Sequence, residues 1–188
     1  MIAADPLPLL HTARLLMRPM EASDAEQVVR WRNAPHVREM CTCHERALTV
    51  ERHLDWFIRT RMLRIDYILV LRASNRPIGS VSLSLAEDAA TSGCSAQSGR
   101  YIGEPDCLGQ GYGHESAVRW LDFGFFDLGL DSIFSHTRRD NFANIRLNHR
   151  LGYSRFCDLT RRTTAPDGEE WIDMCLYRDD WRRIRGRV

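Results

Sequence analysis

The sequence predicts an α/β protein, a single domain of 188 residues with a mixed central sheet and helices on both faces. Three observations carry this. Val81, Leu83 and Leu85 alternate with Ser80, Ser82 and Ser84, the period of a strand. Ala117, Val118, Leu121, Phe125 and Leu128 recur at helical spacing. Along the chain the patterns run strand, two helices, three strands, helix, strand, helix, two strands, with no linker and no internal repeat.

Residues 1–11, with Pro6 and Pro8, read as an irregular lead-in. Thr12–Pro19 is a first strand carried by Leu15, Leu16 and Met17. Ser23 and Asp24 are placed to cap a helix whose apolar side is Val28, Val29 and Trp31, and Pro35 stops it. Thr49 opens a second helix through Leu54, Trp56, Phe57 and Ile58. Asp66–Arg72 reads as a buried strand, and Ile78–Leu85 as its half-buried antiparallel partner across the turn Asn75-Arg76-Pro77. Glu87–Ser98, small and polar, is expected to be loop, and Arg100–Glu104 a strand ended by Pro105.

A glycine cluster then leads into the long helix, which Gly129 ends. Ser132–Thr137 is a strand and Asn141–Leu151 a helix stopped by Gly152. Two last strands, Tyr153–Thr163 and Trp171–Arg178, flank the turn Ala165–Gly168. The basic residues from Arg182 to Arg187 read as a solvated chain end.

Composition removes several function classes. The 26 Lys+Arg are all arginine, so no lysine exists for a Schiff base or a Walker loop. Phosphate recognition must therefore use arginine forks, backbone N–H groups or helix N-termini. A formal net charge of +1 gives no field for nucleic acid or an anionic membrane. The six cysteines show no CxxC pair, and we expect no metal. Without a leader-like N-terminus or a long apolar run, a cytoplasmic protein is expected.

The segment Leu108-Gly109-Gln110-Gly111-Tyr112-Gly113-His114-Glu115 lies between a strand and a helix. Close glycines let successive N–H groups point at one spot, and the helix end adds its positive dipole. A plain turn is one reading. A dinucleotide fingerprint is another, but its GxGxxG spacing is absent. The third is a loop that cradles the diphosphate of coenzyme A.

The run Pro105–Glu115, PDCLGQGYGHE, resembles motif A of the GNAT N-acetyltransferases, with Leu108 standing where Gln or Arg is usual. Asn141–Tyr153, NFANIRLNHRLGY, resembles the helix motif that follows it, and TARLLMRP at Thr12–Pro19 the first strand of the ribosomal-protein alanine branch. The resemblance implies a mixed, mostly antiparallel sheet splayed between its fourth strand (100–104) and its fifth (132–137). It implies acetyl-CoA as cosubstrate, its pantetheine near Ile102 and Gly103, its diphosphate on the loop from Leu108 to His114, and further contacts from Asn141, Asn144 and Asn148. Asn148 occupies the position of the family's tyrosine acid, which an amide cannot replace. A thiol with pKa of about 8.5 leaves without much help. For the base, Glu104, His136 and a relay of waters stay open.

The acceptor is read by the first two helices in such enzymes. Trp31, Arg32, Asn33, Arg38, Met40, His44, His53 and Trp56 resemble in order the pattern of pseudaminic-acid-pathway amino-sugar N-acetyltransferases. Rings can stack on a sugar or base and arginines can fork onto a diphosphate, so a nucleotide-linked amino sugar is the expected partner. Tryptophans at helical spacing also read as core. A protein N-terminus is the alternative acceptor, and a non-catalytic acyl-CoA-binding module the alternative class. The C-terminal edge strands leave room for a homodimer.

Overall fold

The computed structural model describes residues 7–40, 47–85, 94–155 and 171–186, and for Arg155 the backbone alone. Its strands are β1 (Leu10–His11), β2 (Leu15–Pro19), β3 (Arg64–Leu71), β4 (Arg76–Leu85), β5 (Ser95–Ile102), β6 (Ser132–Arg138), β7 (Ser154–Arg155) and β8 (Trp171–Tyr177). Its helices are α1 (Ala25–Asn33), α2 (Pro35–Arg38), α3 (Val50–Thr60), α4 (Tyr112–Asp122), α5 (Phe142–Arg150) and α6 (Arg178–Arg185). The expected mixed, mostly antiparallel sheet is present, with β5 and β6 as its parallel pair. The chain divides into two compact units, Met1–Ser84 with Gly99–Trp120, and Leu85–Ser98 with Leu121–Val188.

In the first unit the strand order is β1-β2-β3-β4, followed by the second half of β5. Leu15 and Met17 are fully buried, and the register Leu15↔Leu71 to Pro19↔Tyr67 puts them against β3. Val28 and Trp31 bring α1 down on Ile68 and Val70, with Phe57 of α3 packed alongside. Each such buried side chain contributes ~1.5–3 kcal/mol. α4 is held by Trp120, whose ring lies 5.0 Å from that of Tyr67 and whose Nε1–H donates to the Ser82 carbonyl at 3.2 Å.

In the second unit the first half of β5 pairs with β6 over Ser95↔Ser132 to Gln97↔Phe134, and the order continues β6-β8-β7. The long β6–β8 register runs from Ser132↔Tyr177 to Arg138↔Trp171. Asn141 caps α5 by accepting from Asn144 N–H at 3.1 Å. Trp181 docks α6, donating to Asp122 at 2.9 Å.

Several expectations are corrected. The lead-in contains β1, a short strand that folds back on β2 with Leu10 opposite Met17. Ser23 does not cap α1. Asp24 takes the Glu21 N–H at 2.9 Å and the Arg18 guanidinium at 2.6 and 2.8 Å, closing a turn (Ala22–Asp24) ahead of the helix. Pro35 ends one helix by starting the next, where its missing N–H is harmless.

β4 is not half-buried. Ser80 and Ser82 are as buried as Val81 and Leu83, because β4 is an inner strand with its serine row also covered. Ser95–Ser98, assigned to a loop, is strand, and the described part of the basic tail is helical, in α6, with Arg182, Arg183 and Arg185 exposed to solvent as expected. α4 ends in a wider π-turn, Phe123–Asp127, before Gly129 takes the left-handed φ of 70° that stops it. The turn at Ala165–Gly168 and most of the strand Tyr153–Thr163 lie outside the described residues.

Candidate active site

The glycine loop stands where the sequence places it, between the end of β5 and the start of α4. Gly109 and Gly111 have φ of 73° and 84°, a region that costs other residues roughly 1–2 kcal/mol each. Gly113 is different from the expected third turn residue: it lies in the first turn of α4. Gly109, Gln110 and Gly111 are exposed, and the Leu108 side chain is exposed beside them. An anion on this loop would meet main-chain amides and a helix N-terminus.

The loop is braced from both sides. The Gln110 amide donates to the Asp106 carbonyl, while the Asp106 carboxylate accepts from Arg76 Nη2 at 2.6 Å. From the turn before β2, Arg14 lays its guanidinium 4.3 Å above the Tyr112 ring. Its Nη1 donates to the Gln110 carbonyl at 3.0 Å and its Nε to Glu115 at 2.6 Å. Thr12 also donates to Glu115, at 2.6 Å. Burial works to raise the Glu115 carboxyl, but the Thr12 hydroxyl and the Arg14 N–H groups outweigh it and hold the group low.

At the end of β5, the N–H groups of Gly103 and Glu104 share the Ile78 carbonyl, at 2.8 and 3.3 Å, the two-onto-one pattern of a bulge. Gly103 is required there by Trp31: a Cβ would sit 2.1 Å from the indole. Glu104 Oε1 accepts from Trp31 Nε1 at 2.7 Å, Arg30 Nη2 at 2.7 Å and Gln27 Nε2 at 3.2 Å. The candidate base is thus also a clasp on α1. Ile102, the last residue of β5, is half-buried.

The acceptor set is divided by the fold. Trp31 is buried rather than a platform, because α1 turns it onto β3 and onto Gly103. Asn33 spends both ends of its amide on Leu48, accepting from its N–H and donating to its carbonyl at 2.8 Å each. His53 is buried, its ring stacked 5.6 Å from Trp56 and 6.3 Å from Phe57, with no partner for Nδ1 among the described residues. Burial, then the charges of Arg32 and Arg64, push its pKa down to about 4, so it is neutral at pH 7.

Trp56 is half-exposed with the Arg64 guanidinium 4.9 Å over its ring. Arg64 in turn forks onto Asp66 at 3.0 Å, and burial raises that carboxyl despite the arginine. Arg32 and Arg38 are half-buried and Met40 is exposed. His44 lies outside the described residues.

In the second unit, His136 faces Asp173 across the β6–β8 pair, with Nδ1 and Oδ1 2.5 Å apart. Trp171 lies flat against the imidazole at 4.6 Å. Ser135 and Thr137 point the other way and receive α5: Asn148 Nδ2 donates to Ser135 Oγ at 2.9 Å and Asn144 Nδ2 to Thr137 Oγ1 at 2.7 Å. Asn148 is fully buried and Asn141 is the cap of α5, so both amides help to hold α5 in place. Sequence reasoning missed Asp173 and Arg14, whose partners lie 37 and 101 residues away. His114 is exposed on α4.

A family model described as an acetyltransferase (GNAT) domain matches residues 14–154, which span the glycine loop, β6 and α5. The chain belongs to the GNAT acetyltransferases. It is an N-acetyltransferase by family, catalysing acyl transfer to an amine.

Spermidine N-acetyltransferase from Vibrio cholerae, solved in complex with CoA and spermine, matches this GNAT chain with a TM-score of 0.77. The identity is 16%, over 90% of this chain and 99% of that one. The ribosomal-protein-S5-alanine acetyltransferase of Vibrio fischeri matches with a TM-score of 0.75 at 17% identity, over 93% and 98%. Apo FdhC, a nucleotide-linked sugar GNAT, matches with a TM-score of 0.73 at 16% identity, over 96% of each chain. At these identities the likeness is one of fold. No curated protein sequence matches the chain. Among the described residues, no helix is long and apolar enough to cross a membrane, and no group of His, Cys, Asp and Glu is arranged to hold a metal ion.

Proposed function

We propose that this GNAT enzyme binds acetyl-CoA with its diphosphate on Gly109–Gly113 and acetylates the primary amine of an anionic small molecule, a nucleotide-linked amino sugar. The charge of the acceptor segment carries this reading. Residues 30–64 contain eight arginines (30, 32, 38, 46, 52, 59, 61 and 64) against four acidic residues (39, 45, 51 and 55). Such a segment repels a polyamine or an aminoglycoside and attracts a diphosphate. Trp56 under Arg64 supplies a half-exposed aromatic face, and the fold shared with a nucleotide-linked sugar GNAT is consistent with it.

The amine lone pair attacks the thioester carbonyl, the thiolate leaves, and one amine proton goes to a base. Of the candidate bases, His136 offers a lone pair on Nε2 in the tautomer whose Nδ1–H donates to Asp173. Glu104 already takes three donors on one oxygen.

The test is initial rates with a UDP-linked 4-amino sugar and with an alanine-ended peptide. Turnover of the sugar nucleotide is expected. Acetylation of the peptide without the sugar nucleotide refutes the acceptor while leaving the enzyme class standing. His136→Gln should lower kcat by about 10²–10⁴ with little change in KM, and an unchanged kcat removes the base assignment.

A further inference from the structure

We infer that Arg14 is a positioning residue for coenzyme A binding: it presets the main chain of the glycine loop by holding the Gln110 carbonyl. The inference rests on the reading of the loop as the diphosphate site.

No side chain from Pro105 to Glu115 carries a permanent positive charge, and the chain has no lysine. The Gln110 amide is spent on the Asp106 carbonyl, so what Gly109–Gly111 offers a diphosphate is main-chain N–H, and its quality depends on which way each peptide plane faces. A glycine-rich turn is free to rotate those planes, because Gly111 and Gly109 lack the steric limits of other residues. Arg14 removes that freedom at one plane. Its Nη1 donates to the Gln110 carbonyl at 3.0 Å. In a trans peptide the N–H points opposite to the C=O, so the Gly111 N–H is turned away from Arg14, to the open side of the loop.

The arginine is itself immobilised. Nε bonds Glu115 at 2.6 Å, the Arg14 main-chain N–H bonds the same carboxylate at 2.8 Å, and the guanidinium lies on the Tyr112 ring. Glu115 and Tyr112 both belong to the first turns of α4. The arginine thereby ties the loop to the helix whose dipole end completes the site. Glu115 neutralises its charge, so the contribution is geometric, and it differs from that of a cation touching phosphate.

The experiment compares two acyl donors. Acetyl-CoA carries the diphosphate; S-acetylpantetheine ends before it. In Arg14→Gln, kcat/KM for acetyl-CoA should fall at least tenfold through KM, and calorimetry should show the same loss for CoA. The kcat/KM for S-acetylpantetheine should stay within twofold of the parent. Equal losses on both donors would mean a general structural role and overturn the inference, as would unchanged CoA affinity. If Arg14→Gln does not fold, Arg14→Lys keeps the charge but lacks the planar fork that holds Gln110 and Glu115 in fixed directions, and must show the same split between donors. Failure of the parent protein to bind CoA is a separate result, and it removes the reading of the loop itself.

Discussion

The glycine loop and the helical segment α1–α3 belong to the same compact unit and use their polar groups in opposite directions. The loop turns main-chain groups outward and is braced by its own Gln110 and, from elsewhere, by Arg14 and by Arg76 through Asp106. The helices turn their most distinctive side chains inward. Trp31 closes on Gly103 and Glu104, Asn33 pins Leu48, and His53 is buried against Trp56 and Phe57. The difference teaches where each kind of recognition comes from. A site made of backbone needs rigid outside support, whereas a helical segment spends its large side chains on its own docking and keeps few for a ligand.

The largest effect expected from breaking this contrast is at Gly111. Gly111→Asp strains a φ of 84° and brings a carboxylate beside Arg14, whose Nη2 lies 3.4 Å from the new Cβ, in competition with the Gln110 carbonyl that Arg14 holds. CoA binding should fall by more than 100-fold in calorimetry. A folded variant that binds CoA normally would make the loop a mere turn. Next, Trp31→Ala should cost about 3–5 kcal/mol of unfolding free energy by denaturant titration, as for a buried tryptophan. An unchanged midpoint with a raised acceptor KM would restore Trp31 as a platform.

Gly103→Ala drives a methyl group into that same indole and should cost about 1–3 kcal/mol. A further effect, seen only on acidification, is at His53. Its folded pKa is about 4, below the ordinary 6.5, so between these values the unfolded chain binds the extra proton. Stability should therefore fall as pH drops from 6.5 toward 4 and level off below. His53→Gln should flatten that limb in pH-dependent thermal melts; a limb unchanged in the variant would show that another group causes it.

The fold was largely legible in the sequence because its strands and helices announce themselves by period, as Ile78–Leu85 and Ala117–Leu128 do. Where period misled, tertiary covering was the cause. The serine row of β4 looks solvated in one dimension and is buried in three. β1 and α6 were missed because a short strand and an arginine-rich helix gain their stability from Met17 and Trp181 packing rather than from local pattern.

The loop was legible for a related reason: glycine spacing reports backbone conformation directly, and Gly109 and Gly111 have the positive φ it implies. Side-chain roles were not. Trp31 at helical spacing is the same letter whether it faces a sugar or Gly103. Nothing local marks Asp173 as the partner of His136 or Arg14 as the brace of Gln110, since strand pairing and helix docking create both.

The central claim, that the amides ahead of α4 hold the diphosphate, is tested most directly by backbone amide NMR during a CoA titration. The N–H resonances of Gly109, Gln110, Gly111, Tyr112 and Gly113 should shift downfield together and saturate with the calorimetric Kd. Saturable CoA binding that leaves these five resonances in place would contradict it.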